Sequence, residues 1–174
     1  MKIDLSSFLD NAVESLHFDG RIKLEDLDLN NSNITIVEPV EYEGEVLRVD
    51  GDKIINIRIS YKYDEICHRC LKPTTKNVKT ALSGKLVEGK KEDEDEVEDE
   101  GFDELIFYED NLLDLKDYTI NQIILSLPMK TLCKEDCKGL CPKCGTDLNR
   151  SKCDCTIENI DPRLEKLKEF LPKN

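Results

Sequence analysis

The chain has 174 residues, which is enough for one domain or for a larger domain with a small metal-held module. Hydrophobic residues make up 39% of it, with five Phe, five Tyr and no Trp, so a modest core is expected. The 25 basic and 38 acidic residues give a formal net charge of -13. This argues against a broad electrostatic grip on phosphate, because nucleic-acid affinity comes largely from Lys and Arg. The negative net charge is compatible with basic protein partners.

The N-terminal segment predicts a short strand followed by a brief helix. Residues 1–5 have strand character, and Ser6 or Ser7 is placed to cap the helix. A serine hydroxyl there accepts a hydrogen bond from a free N–H of the first turn. The helix is expected to carry an apolar face made by Phe8, Leu9, Val13 and Leu16.

A β-rich domain is predicted over residues 1–87. Apolar and polar residues alternate along much of it, which is typical of antiparallel strands that bury one face. Asp50-Gly51 lies between two such runs and is a strong hairpin signal. After that hairpin the buried face is predicted to contain Ile55, Ile57, Ile59 and Tyr61, and residues 78–87 are predicted to return as the next strand.

An acidic linker is predicted over residues 88–103. Residues 88–100 contain nine acids and two lysines, a charge of -7. A run this dense cannot bury itself and repels itself into an extended state, so a solvated linker is favoured. The narrower alternative is an acidic surface that mimics phosphate and engages a basic partner.

Residues 104–128 are predicted to pack back on the sheet as a strand and a helix. The strand covers residues 104–108, and Asp114 is placed to cap a helix that ends before Pro128. Helical spacing puts one apolar side against the core. That side is expected to contain Leu115, Tyr118, Ile123, Ile124 and Leu127.

Residues 129–174 are predicted to form a cysteine-rich zinc module with a short C-terminal helix. In Cys141-Pro-Lys-Cys144-Gly145 the two-residue spacing turns both sulfurs to one side, and Gly145 is free to take a positive φ. We therefore expect one or two structural zinc ions. The candidate ligands are Cys67, Cys70, Cys133, Cys137, Cys141, Cys144, Cys153 and Cys155. The final helix begins at Asp161-Pro162 and is expected to dock on the sheet domain.

Spacing leaves the pairing of these cysteines open. In one interpretation an ion is shared by the two Cys-x-x-Cys pairs, Cys67 with Cys70 and Cys141 with Cys144. A second ion is then held by Cys133, Cys137, Cys153 and Cys155. In the other interpretation, one site closes wholly within residues 129–174, here called the tail. The upstream pair, Cys67 with Cys70, then stays free or weakly metallated.

Disulfides and redox chemistry are the alternative uses of these thiols. Residues 1–5 show no signal region and no apolar run reaches a membrane-spanning length, so the chain is expected in the reducing cytoplasm with no membrane partner. Metal binding is favoured over disulfides there. Redox Cys-x-x-Cys pairs usually open a helix, whereas Pro142 and Gly145 favour a knuckle. Because four cysteines close a zinc site that a catalytic metal would leave open, we expect neither an enzyme nor a small-molecule substrate.

Few cations near the cysteines are available for RNA. Residues 129–174 hold ten Lys and Arg against eight Asp and Glu, and two four-cysteine zinc sites would bring this +2 to about -2. Candidates for contact with RNA or another partner are Arg69, Lys138, Lys143, Arg150 and Lys152. For Arg69 the favoured alternative is neutralisation of neighbouring thiolates. His68 is a possible replacement ligand but is expected to point outward.

Four blocks in order resemble the bacterial YceD-like family, the large ribosomal RNA subunit accumulation proteins. They are Cys67-His-Arg-Cys70-Leu71, Leu125-Ser-Leu127-Pro128, Cys137-Lys-Gly-Leu-Cys141-Pro-Lys-Cys144-Gly145 and Asp161-Pro162-Arg163-Leu164. The resemblance implies a non-enzymatic cytoplasmic factor needed for normal accumulation of 23S ribosomal RNA. Some relatives lack the tail cysteines, which implies that the tail metal elaborates the fold in cysteine-rich branches.

The sequence therefore predicts an α+β protein: an antiparallel β-sheet domain with a packed helix and a C-terminal cysteine-rich zinc-binding module. The leading functional hypothesis is a ribosome-biogenesis factor that binds ribosomal RNA or a large-subunit ribosomal protein. A zinc-ribbon adaptor in transcription or another nucleic-acid machine is the second hypothesis. A thiol redox enzyme is the third.

Overall fold

A computed structural model describes residues 1–10, 12–22, 34–90 and 104–156. Within those ranges the elements are β1 Lys2–Asp4, α1 Ser6–Leu9, β2 Ser15–Ile22, β3 Thr35–Val49, β4 Asp52–Ile66, β5 Pro73–Glu88, β6 Leu105–Tyr108, β7 Leu112–Asp114 and α2 Lys116–Ser126. The predicted final helix, and the acidic linker from residue 91 onward, lie outside the described residues. Neither described helix is long and apolar enough to cross a membrane.

The main structural element is a five-stranded sheet in the order β2-β3-β4-β5-β6. The alternating pattern predicted a sheet here, though not its strand order. The long strands β3 and β4 are joined by Asp50 and Gly51, with φ of 52° and 96°. Two consecutive positive φ angles match the right-handed twist of the paired strands, so the predicted hairpin is confirmed. The register of β3 against β4 shifts between Val37 and Glu41, around Pro39, which has no N–H to donate to the ladder.

Strand β6 departs from the antiparallel prediction. β6 pairs with β5 in parallel, with Lys85 opposite Leu105 and Glu88 opposite Tyr108. A parallel pair needs a long crossover between its strands, and the chain between β5 and β6 is long enough to provide one. A second, two-stranded sheet pairs β1 with β7, a strand that the sequence analysis did not identify.

The core lies on one face of the five-stranded sheet. Ile55, Ile57, Ile59 and Tyr61 of β4 are buried there as predicted, and Tyr63 continues the same buried face. Each fully buried aliphatic side chain of this kind contributes about 1.5–3 kcal/mol of transfer free energy. On the β1–β7 side of the core, Leu5, Phe8, Leu113 and Leu115 join the same cluster.

Helix α2 packs on the sheet near its predicted position. The Gln122 amide donates to Thr80 Oγ1 (2.7 Å) on β5, and the N–H of Phe107 on β6 donates to the Tyr118 hydroxyl (3.1 Å). The N-cap residue is Leu115, one residue later than predicted, but Asp114 still accepts a hydrogen bond from the N–H of Lys116 (3.0 Å) in the first turn. The prediction was wrong for Ile124, which is 48% exposed, because its neighbour Ile123 faces the core and consecutive helical residues point about 100° apart.

The first helix is shorter than predicted and is not capped by serine. α1 ends at Leu9, so Val13 lies outside it and Leu16 belongs to β2. No side chain caps its N-terminal residue. Instead the Asp4 carboxylate accepts a hydrogen bond from the N–H of Ser6 (2.8 Å), one of the free donors at the start of the helix.

Candidate metal centre

The eight cysteines form two groups of four sulfur atoms, and in each group all four lie within 4.8 Å of one another. The first cluster is Cys67, Cys70, Cys133 and Cys137, and the second cluster is Cys141, Cys144, Cys153 and Cys155. The two Cys-x-x-Cys pairs therefore do not share a cluster. The tail does close one cluster by itself, as the other interpretation expected, but the upstream pair is not left free.

The position of α2 explains this pairing. Its last turn lies beside β4, where the Tyr61 hydroxyl approaches Ser126 Oγ (2.7 Å). The chain that leaves α2 then runs past the end of the β4–β5 hairpin, where the N–H of His68 donates to the carbonyl of Thr131 (2.9 Å). Cys133 and Cys137 are thus the first tail cysteines to reach the upstream pair.

Two matching knuckles present the cysteine pairs. The N–H of Leu71 donates to the carbonyl of Cys67 (2.9 Å), and the N–H of Gly145 donates to that of Cys141 (2.8 Å). The residue after each second cysteine has positive φ, 59° for Leu71 and 73° for Gly145. The backbone therefore shapes both turns alike, although only one of them has the glycine that favours this conformation.

A hydrogen-bond network holds the start of the tail against the hairpin. The buried Tyr63 hydroxyl lies 2.9 Å from the equally buried Thr131 Oγ1. The N–H of Thr131 donates to His68 Nδ1 (3.0 Å), so the ring proton lies on Nε2, which faces Glu65 Oε1 at 3.5 Å. His68 is thus a positioning residue and not a member of either cluster.

Arg69 connects the β4–β5 hairpin to the tail with its side chain and its carbonyl, which both bond backbone atoms of the tail. Its Nη1 donates to the carbonyl of Cys137 (2.8 Å), and its own carbonyl accepts from the N–H of Leu140 (3.0 Å). Gly139 lies so close that a Cβ there would be 2.9 Å from the Arg69 carbonyl oxygen, and its φ is 77°. The guanidinium therefore bonds a tail carbonyl, and its contact with RNA stays a prediction.

Asn149 is a site residue that sequence reasoning missed. Its Nδ2 lies 3.5 Å from the Cys137 sulfur and donates to Asp147 Oδ1 (2.8 Å). Its Oδ1 accepts from the N–H of Lys138 (2.8 Å). Hydrogen bonds from Asn149, together with Lys72, lower the pKa of Asp147 to about 2. One amide thus links the first cluster to the chain that carries the second, and no motif marks it in the sequence.

The remaining predicted cations lie on the surface of the tail. Lys138, Lys143, Arg150 and Lys152 are all exposed. Arg150 Nε lies 3.6 Å from Asp147 Oδ2, in an ion pair at the surface. The Arg150 side chain is 75% exposed, and Asp147 also pairs with Lys72 Nζ (3.2 Å), so the carboxylate keeps a basic partner when Arg150 contacts another molecule.

The sulfur positions of the first cluster fit a tetrahedral zinc ion. Zinc–thiolate bonds of about 2.3 Å place neighbouring sulfurs about 3.8 Å apart. The separations are 3.8 Å for Cys67 and Cys137 and 3.6 Å for Cys70 and Cys133. Burial raises the pKa of Cys67, but backbone N–H groups led by that of Cys133 outweigh it and lower the pKa to about 6. Burial, with contacts to the other thiols, raises the pKa of Cys133 to about 12.

The second cluster has the same donors in a more open setting. Cys141 is buried, Cys144 is exposed, and Cys153 and Cys155 are half-buried. Hydrogen bonds from the hydroxyl and N–H of Thr146 lower the pKa of Cys144 to about 6. Contact with Cys144, together with burial, raises the pKa of Cys155 to about 12. Four sulfurs and no nitrogen or oxygen ligand suit zinc more than a hard cation.

Comparison with known proteins gives one family. The family model described as Large ribosomal RNA subunit accumulation protein YceD matches residues 55–171. An uncharacterised protein of Mycobacterium tuberculosis is 39% identical over 105 residues, which are 60% of this chain and 49% of that protein. The chain thus spans about half the length of its mycobacterial relative.

Two further relatives cover different shares of the chain. The Large ribosomal RNA subunit accumulation protein YCED homolog 1, chloroplastic, of Arabidopsis thaliana is 29% identical over 119 residues, 55% of this chain and 37% of that protein. The uncharacterised protein YlbN of Bacillus subtilis is 26% identical over 162 residues, 92% of this chain and 91% of that protein. No solved structure matches the chain.

Proposed function

The chain belongs to the YceD family of large ribosomal RNA subunit accumulation proteins, and on that premise we propose that it is a non-enzymatic ribosome-biogenesis factor of the cytoplasm. It supports the synthesis, processing or accumulation of 23S ribosomal RNA by binding RNA or a large-subunit ribosomal protein. The observation that carries the proposal is the extent of the match. Residues 55–171 include most of β4, the hairpin knuckle, α2 and all eight cysteines.

Each cluster is proposed to bind one structural zinc ion. Bound there, zinc supplies a cross-link between chain segments, and four thiolates leave no coordination position for water. Cys67 and Cys70 hold the hairpin side of the first site, and Cys133 and Cys137 hold the tail side. The Tyr63–Thr131 and Arg69–Cys137 hydrogen bonds align these two sides.

The charge distribution indicates which surface each kind of partner would contact. With a net charge of -13 the chain as a whole repels phosphate, so RNA contact rests on a few cations of the tail. Lys138 and Lys143 flank the cysteines and expose their side chains. A basic ribosomal protein would be met instead by the acidic surface. Both partners suit a rigid tail that presents a fixed surface.

Depletion of the protein in growing cells tests this function. We expect the ratio of 23S to 16S ribosomal RNA to fall and a wild-type copy to restore it. Crosslinking in those cells, followed by identification of the attached RNA and proteins, then names the partner. An unchanged ratio after complete depletion would contradict the proposed function.

The basic residues are tested in the same cells. A Lys138→Gln/Lys143→Gln variant is expected to fold and to crosslink less RNA if RNA is the partner. The matched control is Lys62→Gln/Lys79→Gln, which changes two exposed lysines on the outer face of the sheet. Equal RNA crosslinking by both variants would count against RNA contact through the tail.

A further inference from the structure

We propose that the second cluster is an exchangeable metal site, so that the protein has a stable state with metal in the first cluster alone. This inference rests on the proposed binding of zinc at both clusters and adds the order in which the ions leave. It is supported by differences in exposure, in chain connection and in the hydrogen bonds that hold each set of sulfurs.

Exposure favours loss from the second cluster. In the first cluster Cys67, Cys70 and Cys137 are 0%, 5% and 1% exposed, and Cys133 is half-buried. In the second cluster Cys144 is exposed. A chelator removes zinc by replacing one thiolate at a time and must reach the ion to do so, and the shell around a site controls that access. The exposed sulfur therefore gives the competing ligand its entry.

The first cluster is held in shape by contacts that do not involve metal. The N–H of Cys67 donates to the carbonyl of Lys72 (2.8 Å) at the end of the β4–β5 hairpin. On the tail side, Thr131 is bonded to Tyr63 and His68. These bonds connect two segments far apart in the chain. The ligands therefore stay close together when a bond to the ion breaks, and the ion is recaptured.

The second cluster has one ordered half and one weakly connected half. The knuckle at Cys141 is fixed by its own backbone, whose N–H donates to the carbonyl of Thr146 (2.8 Å). By contrast, within the described part of the chain no backbone–backbone hydrogen bond joins residues 152–156 to any other segment. Among the described residues, the contacts of Cys153 and Cys155 with other segments are therefore made by their sulfurs. Segments with so few bonds open at low free energy, which lets the ion escape.

Loss of the second ion leaves the rest of the tail in place. The segment between the clusters is bound from both sides, because the N–H of Leu140 donates to Arg69 and the N–H of Leu148 donates to the carbonyl of Gly139 (3.0 Å). The N–H of Lys138 is bonded by Asn149. None of these contacts passes through a sulfur of the second cluster. The one-ion state therefore keeps the first cluster and the docked tail.

Native mass spectrometry of the zinc-loaded full chain, titrated with EDTA under reducing conditions, tests the order of loss. We expect a two-ion species and then a one-ion species that persists. The ion of the second cluster should leave faster than the ion of the first cluster by about tenfold or more. N-ethylmaleimide added briefly to the one-ion species should label Cys144, the exposed cysteine of the second cluster, first and should spare Cys67, Cys70 and Cys137. Simultaneous loss of both ions, or labelling of the first cluster at this stage, overturns the inference but leaves the metal sites standing. A chain that binds no zinc overturns the metal sites and the inference together.

A matched pair of variants makes the same distinction. Cys144→Ser and Cys70→Ser each remove the second cysteine of a Cys-x-x-Cys knuckle. Cys144→Ser is expected to hold one zinc ion and to unfold at nearly the wild-type temperature, and Cys70→Ser to unfold at a clearly lower one. Equal losses of thermal stability overturn the inference. If Cys70→Ser does not fold, the EDTA titration of the wild-type chain still decides the order.

Discussion

The hydrogen bond between Tyr63 and Thr131 gives a direct test of how the tail docks on the sheet. Both side chains are almost fully buried, at 2% and 1% exposure, and their oxygens are 2.9 Å apart. Tyr63→Phe leaves the Thr131 hydroxyl without its partner, and Thr131→Val leaves the Tyr63 hydroxyl without its own. Each single change is expected to cost about 1–2 kcal/mol of the free energy of unfolding, because a buried polar group then loses its bond to water and gains none in return.

The double variant separates this bond from general packing. When both hydroxyls are removed together no unpaired group remains, so the double variant should cost no more than the larger single change. The coupling energy is therefore expected to be about 1 kcal/mol or more. The assay is urea unfolding followed by circular dichroism, in excess zinc and a phosphine reductant, for the wild type, both single variants and the double variant.

Tyr61→Phe is the matched control, two residues earlier on the same buried face of β4. Its hydroxyl contacts Ser126 Oγ (2.7 Å) and the carbonyl of Ile123 (3.3 Å), both in α2 and not in the tail. Its coupling with Thr131→Val should stay within about 0.3 kcal/mol of zero, as for residues that share no partner. The reasoning fails if Tyr63→Phe shows no more coupling than this control.

Three further predictions concern the clusters. His68→Ala should weaken zinc binding by the first cluster, because it leaves the N–H of Thr131 without its acceptor and loosens the tail beside Cys133, and unchanged competition with a zinc indicator would contradict this. Gly139→Ala should lower thermal stability more than Gly145→Ala: both glycines have positive φ, but a Cβ meets the Arg69 carbonyl oxygen only at the first, and equal losses would be the wrong result. In metal-free reduced protein, alkylation of Cys144 should rise as pH passes about 6 and then level off, because the lowered pKa makes it a thiolate above that pH. Cys155, with its pKa raised to about 12, should stay slow at neutral pH, and mass spectrometry showing equal rates would refute this.

The sheet could be predicted from the sequence because burying one face imposes a period of two. Ile55, Ile57 and Ile59 alternate with polar residues for that reason, and Asp50-Gly51 supplies the positive φ angles that their hairpin needs. The parallel pairing of β6 could not be predicted this way. Alternation reports which face is buried and carries no information on strand direction.

The cysteine motifs predicted the kind of site but not its assembly. Two-residue spacing fixes a local turn, whereas the choice of partner is made by tertiary structure, here by where α2 delivers the chain to the hairpin. The turn at Leu71 is another feature that the sequence does not predict. Leu71 has the positive φ that Gly145 has in the other knuckle, but a leucine at this position does not indicate that conformation. Asn149 is recognised as a site residue only from its contacts in the structure, because a single Asn outside any motif does not indicate a functional site.

Zinc K-edge X-ray absorption on the purified protein tests the central claim most directly, because it reports the ligands of the bound metal. If Cys67 and Cys70 share an ion with Cys133 and Cys137, and the other four share a second, every zinc ion must have sulfur neighbours only. We expect four sulfurs per zinc at about 2.3 Å, in a sample with two ions per chain. Nitrogen or oxygen in the coordination shell, or a fully reduced chain that retains no zinc, would contradict the account.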